Sequence, residues 1–160
     1  LLRGDLSPDE LVATIEGVRA EVPGVTIGYV DAYFLFENHP QVADACDVIL
    51  INCYPFWEGA NNSQALLYVQ QMYELTQRVA HGKKVIIAET GWPSDGQEVT
   101  DAKPSAENAM KYFINVQQWA KNQNIELFYF SSFDEAWKVG AEGDVGAYWG
   151  IWDARGNLKF

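Results

Sequence analysis

Four short segments hold the residues of this chain best suited to chemistry. Glu89 follows the apolar run Val85-Ile86-Ile87-Ala88 and opens Glu89-Thr90-Gly91-Trp92-Pro93-Ser94. Phe133-Asp134-Glu135-Ala136-Trp137-Lys138 sets a carboxylate and an ammonium three positions apart, and Asn52-Cys53-Tyr54-Pro55-Phe56-Trp57 and Asp31-Ala32-Tyr33 each set a polar group beside rings. A carboxylate at the end of an apolar strand is either a reacting group at a rim or half of an ion pair with a nearby Lys or Arg. Lys138 either holds Glu135 ionised as an electrostatic partner or forms an ordinary rim pair with it. Asp31 either orients a neighbour or caps a strand. Acids and amides among aromatic rings suit sugars, because carboxyl groups perform acetal chemistry and flat apolar faces stack on pyranose rings.

These segments sit at the ends of strands that alternate with helices. Ser7-Pro8-Asp9-Glu10 opens a helix with Ser at the N-cap, Pro at the first position and acids in the first turn, and Leu11, Ile15 and Val18 recur at helical spacing. Pro23-Gly24 ends it, and Val25 to Val30 is predicted as a buried strand. A short helix follows from Pro40 to Ala45, then a strand at Val48-Ile49-Leu50-Ile51. Asn62 or Ser63 caps a long helix reaching Ala80, Val85 to Ala88 forms a third strand, a helix runs from Pro104-Ser105 to Asn122, and Ile125 to Phe130 forms a fourth strand. The tail, Tyr148 to Phe160, is predicted as an aromatic hairpin turning at Arg155-Gly156-Asn157. Apolar strands separated by helices argue for parallel strands covered on both faces, as a small doubly wound sheet or as part of a barrel. In a barrel, chemistry gathers at the C-terminal ends of the strands, where this chain keeps its polar residues.

Composition narrows the ligand classes. The 160 residues carry a formal charge of −11, so a phosphate backbone or an anionic membrane surface is a poor partner. No run is long or apolar enough to span a membrane. Six Trp and eight Tyr fit stacking surfaces or a ring-rich core equally well. Cys46 and Cys53 flank an extended segment that holds their sulfurs about 20 Å apart, so no bridge between them is expected. His39 and His81 are isolated at helix termini, and no Cys/His cluster has zinc spacing. No Gly-rich phosphate loop follows a strand and no Gly-x-Ser-x-Gly elbow occurs.

At the segments named, the chain resembles glycoside hydrolase family 17, the β-1,3-glucanases and β-1,3-glucanosyltransferases. Glu89 to Ser94 matches the family's nucleophile signature, and Phe133 to Lys138 matches its segment after the last barrel strand. Asn52 to Phe56 and Tyr148-Trp149-Gly150-Ile151-Trp152 agree as well, and the likeness covers essentially the whole chain, closest to the bacterial and fungal branch. The resemblance implies an α/β fold of the (β/α)8 TIM-barrel class, with residues 1–160 forming the C-terminal half of the catalytic domain, strands five to eight. It implies a retaining hydrolase or transglycosylase acting on β-1,3-glucan, with Glu89 as nucleophile. Asp31, Asn52, Tyr54, Glu135 and Lys138 are the expected supporting residues. Tyr33, Phe56, Trp57, Trp92, Trp137 and Trp149 are candidate sugar platforms.

In the family a general-acid Glu follows strand four in a Gly-Asn-Glu motif. Leu1-Leu2-Arg3-Gly4-Asp5-Leu6 resembles the segment after that motif, which places the acid just upstream of Leu1. The alternative expectation is a catalytically incomplete β-glucan-binding fragment. No cofactor and no metal are implied, because two carboxyl groups suffice for the reaction. The expected partners are a β-glucan oligosaccharide or polysaccharide and either an N-terminal half-barrel or a second copy, with no nucleic acid and no membrane insertion. The family resemblance implies an extracytoplasmic location and leaves open whether water or sugar is the acceptor.

Overall fold

The computed structural model describes residues 1–140 and 142–160. Its elements alternate in the order α1 (Pro8–Glu21), β1 (Gly28–Ala32), α2 (Tyr33–Asn38), α3 (Pro40–Ala45), β2 (Val48–Asn52), α4 (Asn62–Val79), β3 (Lys84–Thr90), α5 (Ala106–Gln123), β4 (Leu127–Tyr129) and α6 (Val139–Glu142). Single 3-10 turns at Ala136–Lys138 and Asp144–Ala147 flank α6. The strands form one sheet in chain order, β1-β2-β3-β4, with β1 and β2 parallel from Gly28 opposite Val48 to Ala32 opposite Asn52. The backbone groups into two compact units, residues 1–53 with 71–88, and residues 54–70 with 89–160.

In the first unit α1 begins with a capping box. The Ser7 hydroxyl accepts from the Glu10 amide at 3.3 Å, and the Glu10 carboxylate accepts from the Ser7 amide at 2.9 Å. Leu11 and Ile15, four apart on one face, are buried. Replacing Ser7 with Ala removes the acceptor for an orphan helix amide and is expected to cost about 1 kcal/mol in urea unfolding; an unchanged midpoint would mean that the box contributes nothing.

Strand β1 starts three residues later than its apolar run suggests, and Val25 and Val30 are exposed. The reason lies in Asp47. Its carboxylate accepts from the Ile27 amide at 2.8 Å while Arg19 holds the same carboxylate at 2.6 Å. The Ile27 amide therefore bonds to a side chain rather than entering a strand ladder. Gly28 begins the ladder because a Cβ there would meet Val48 and Leu50 side chains at 2.7 and 2.6 Å. On β2 only Ile49 and Ile51 point into the core, with Phe36, Val42, Met72 and Ile87. His81, at φ 50°, ends α4 in the left-handed region beside Asp44, at 3.1 Å. His39 joins α2 to α3. Cys46 and Cys53 are both buried thiols without a disulfide, and burial pushes the Cys46 thiol up.

In the second unit Asn61, one residue before the expected cap, accepts from the Ser63 amide at 3.0 Å and starts α4. Ser105 caps α5, whose Ala109, Tyr112, Val116 and Ala120 form a buried stripe. The helix closes through the Ile125 amide, which donates to the Ala120 carbonyl at 2.8 Å, so β4 is shorter at both ends than Ile125 to Phe130. The tail pairs as a hairpin would. The Lys159 amide reaches the Ile151 carbonyl at 3.0 Å, and Gly156, at φ 82°, lies in the turn. Residues 149–152 also bond to residues 131–134, with Ile151 donating to Ser131 at 3.0 Å and Asp134 to Trp152 at 2.9 Å. Among the described residues no helix is long and apolar enough to cross a membrane.

Candidate active site

Glu89 is the penultimate residue of β3. The strand carries its backbone, and the next residue locks the strand end: the buried Thr90 hydroxyl contacts the Tyr112 hydroxyl of α5 at 2.5 Å, and the Thr90 carbonyl accepts from the Phe130 amide at 2.8 Å. Gly91 follows because a Cβ there would overlap the Phe130 carbonyl. Alternation along the strand then turns the Glu89 side chain away from this packing. Its carboxylate lines a cavity of about 420 Å³ with Tyr54, Trp57, Phe130, Glu142 and Trp149.

Tyr54 orients that carboxylate, its hydroxyl donating to Glu89 Oε2 at 2.8 Å. Burial, and then the charge and hydrogen bond of Glu89, hold the Tyr54 hydroxyl far above the ordinary phenol range, so it stays protonated and stays a donor. The Tyr54 ring is fixed edge to face against Trp149 and Phe130, at 5.4 and 6.2 Å between centroids. Trp57 tilts against Trp149 at 5.7 Å and is 43% exposed, enough to offer a ring face.

Lys138 and Glu135 pair at 2.6 Å, with the Lys138 ammonium buried and lying 3.9 Å above the Phe130 ring. A buried ammonium needs such partners, since desolvation without them is costly. Trp137 beside it is 74% exposed.

Two expected platforms are core residues. Phe56 and Trp92 are 0% and 1% exposed, with rings 5.5 Å apart, and the Trp92 indole donates to the Lys103 carbonyl at 3.0 Å. Neither offers a face to a ligand, because their large apolar surfaces gain most by packing on each other and on Trp149 and Tyr112. Trp149 is also nearly buried, yet its ring lines the cavity. Asp31, Tyr33 and Asn52 belong to the first unit. There Asp31 accepts from the Tyr29 hydroxyl and from the Ala32 amide at 2.8 Å. Asp31 and Asn52 line a separate cavity of about 310 Å³ with Tyr29, and Tyr33 packs edge to face on Phe34.

The sequence reading missed Glu142 and Phe130. Glu142 follows Lys138 by four positions, a spacing that pairs side chains on a helix, but α6 is a single turn without periodic signal. Phe130 reads as one more strand residue. Among the described residues no group of three or more His, Cys, Asp or Glu side chains is placed to hold a metal.

The family model of the BtgE/BtgC glycoside hydrolase domain matches residues 1–150. A glucan 1,3-beta-glucosidase of Candida albicans is 32% identical over 190 residues, with all of this chain and 59% of the relative covered. The cell surface mannoprotein MP65 of the same species is 28% identical over 93% of this chain and 40% of its own length. The glycoside hydrolase family 17 beta-1,3-glucanosyltransferase of Rhizomucor miehei superimposes with a TM-score of 0.90 at 33% identity, covering 98% of this chain and 57% of the solved one. An active-site mutant of that enzyme has been solved with laminaritriose and fits equally well. The chain thus spans under three-fifths of the relatives it matches.

Proposed function

Because the chain belongs to the BtgE/BtgC glycoside hydrolase family, within glycoside hydrolase family 17, we propose that it is the C-terminal half of a retaining β-1,3-glucan hydrolase or glucanosyltransferase barrel, its strands being the fifth to eighth. The observation that carries this reading is the Glu89 carboxylate, oriented by Tyr54 in a ring-lined cavity. In the first step the ionised carboxylate attacks the anomeric carbon. A glycosyl ester forms on Glu89, the glycosidic C–O bond breaks, and the leaving oxygen takes a proton from a second carboxylic acid. That carboxylate next removes the proton of an incoming water or sugar hydroxyl, whose oxygen attacks the same carbon and frees Glu89. The second carboxyl must lie about 5–5.5 Å from the first, and the family likeness assigns it to the portion of the domain that this chain does not span.

Tyr54 fixes which oxygen of Glu89 faces the sugar. Trp57 and Trp137 stack on sugar rings and Trp149 closes the cavity wall, while the Glu135–Lys138 pair supports that wall below Phe130. The substrate class rests on relatives that carry glucan-directed names, and the likeness to a cell surface mannoprotein favours a site of action outside the cytoplasm.

The test is covalent capture. Incubating the full-length protein with a 2-fluoro-laminaribiosyl fluoride should slow ester turnover enough to label one peptide, and mass spectrometry should place the label on Glu89. A label on another residue, or none while laminarin is still cleaved, would remove Glu89 from the role. No label together with bound laminari-oligosaccharide and no cleavage would favour a glucan-binding fragment.

A further inference from the structure

We propose that Glu142 is a specificity-determining residue of the same cavity, its ionised carboxylate accepting hydrogen bonds from hydroxyls of the sugar bound against Glu89. This rests on the reading of Glu89 as the nucleophile. Glu142 lines the cavity together with the aromatic wall, on a helical turn that departs directly from Lys138. The cavity otherwise offers a sugar rings and one carboxylate that is already claimed by attack and by Tyr54. Rings hold a pyranose by its faces but leave its equatorial hydroxyls unpaired, and a buried hydroxyl without a partner weakens binding. Glu142 is the remaining acid among the cavity's lining residues, and carboxylates accept in pairs.

The charged surroundings of Glu142 set its behaviour. Burial pushes its carboxyl up, Lys138 and the Trp149 indole pull it down, and Glu135 and Glu89 push it up again, for a net rise. The Trp149 N–H is buried and reaches no acceptor in full hydrogen-bonding geometry, so its pull is weak. Tyr54, the other titratable group facing it, stays protonated. The Lys138 ammonium, paired with Glu135, also acts on Glu142, while the Glu89 carboxylate opposes it across the cavity. A glycosyl transition state carries positive charge at the anomeric centre, and an ionised Glu142 offsets it while binding a hydroxyl.

The test uses Glu142→Gln and Glu142→Ala in the full-length protein, on laminaritriose and its monodeoxy analogues. In the native protein one deoxy analogue should lose about tenfold or more in kcat/KM. In Glu142→Ala that analogue and the parent sugar should become equal, since the lost hydroxyl no longer has a partner. In Glu142→Gln the acid limb of kcat/KM should move to lower pH, because a carboxyl that burial holds above the ordinary carboxylate range no longer titrates there. A purely structural role would lower melting temperature and leave both the deoxy ratio and the limb where they were. Gln is near-isosteric and relieves the burial of a charge, so its melting temperature at pH 7 should not fall, which keeps the test open if the Ala variant fails to fold. The inference is overturned if every deoxy ratio is the same in native and Ala proteins, or if the acid limb of the Gln variant stays fixed. Should Glu89→Gln keep full turnover, the underlying reading fails first, and separately from this one.

Discussion

Glu89→Gln is expected to lower kcat on laminari-oligosaccharides by at least about a thousandfold while the protein stays folded and keeps its affinity for them. The amide occupies nearly the same volume and still accepts the Tyr54 hydroxyl, so the ring packing that holds Tyr54 against Trp149 and Phe130 has no reason to change. What disappears is the lone pair able to form an ester with the anomeric carbon. That loss falls on the transition state and leaves ground-state contacts intact, so it shows in kcat and spares KM. A companion variant sharpens the argument. Glu89→Ala leaves room for a small anion, and added azide should restore turnover with a product of inverted configuration at the anomeric carbon. Polarimetry or proton NMR reads that configuration directly. More than a tenth of native activity in the Gln variant, or rescue without inversion, would place the nucleophile elsewhere.

Gly150→Ala is expected to cost at least about 3 kcal/mol or to prevent folding. Gly150 lies where residues 149–152 lace onto residues 131–134, its amide donating to Asp134 Oδ1 at 2.9 Å. An added methyl would overlap main-chain atoms of Phe133, Asp134 and Trp152. Main chain on three sides cannot rotate away as a side chain does, so one of the two segments must part. The Asp134 carboxylate that holds Gly150 also takes the Lys159 ammonium at 2.6 Å, and parting the segments exposes that half-buried pair. Gly17→Ala is the matching control. Gly17 lies inside α1, where an added methyl would meet nothing within 4 Å, so the change should stabilise by about 0.5–1 kcal/mol through reduced chain entropy. Urea unfolding followed by tryptophan fluorescence separates the two by sign. A Gly150→Ala midpoint equal to native would show that the lacing yields.

The order of elements was legible because each carries a local signal: a capping box at Ser7, a Ser cap at 105, β-branched runs at 48–51 and 85–88. Glu89 stood out because a carboxylate directly after four apolar strand residues has to emerge somewhere. Less legible was anything set by a contact distant in sequence. The start of β1 depends on Asp47, twenty positions past Ile27. The roles of Phe56 and Trp92 depend on which of several adjacent rings turns inward, and outside a strand no alternation rule decides that. Trp57, next to Phe56, remains half exposed, while Phe56 is sealed. Glu142 was hidden for a related reason. One helical turn has too few residues to show a period, and its carboxylate meets Glu89 only through the fold.

The sealed thiols of Cys46 and Cys53 have a practical reach. A sulfhydryl without water around it and held in its neutral form is a poor nucleophile toward maleimides or peroxide. The folded protein should therefore tolerate handling in air without added reductant. A third cysteine introduced at an exposed position away from the cavity, such as Leu67, would then take a fluorescent or spin probe alone, with the native pair left in place.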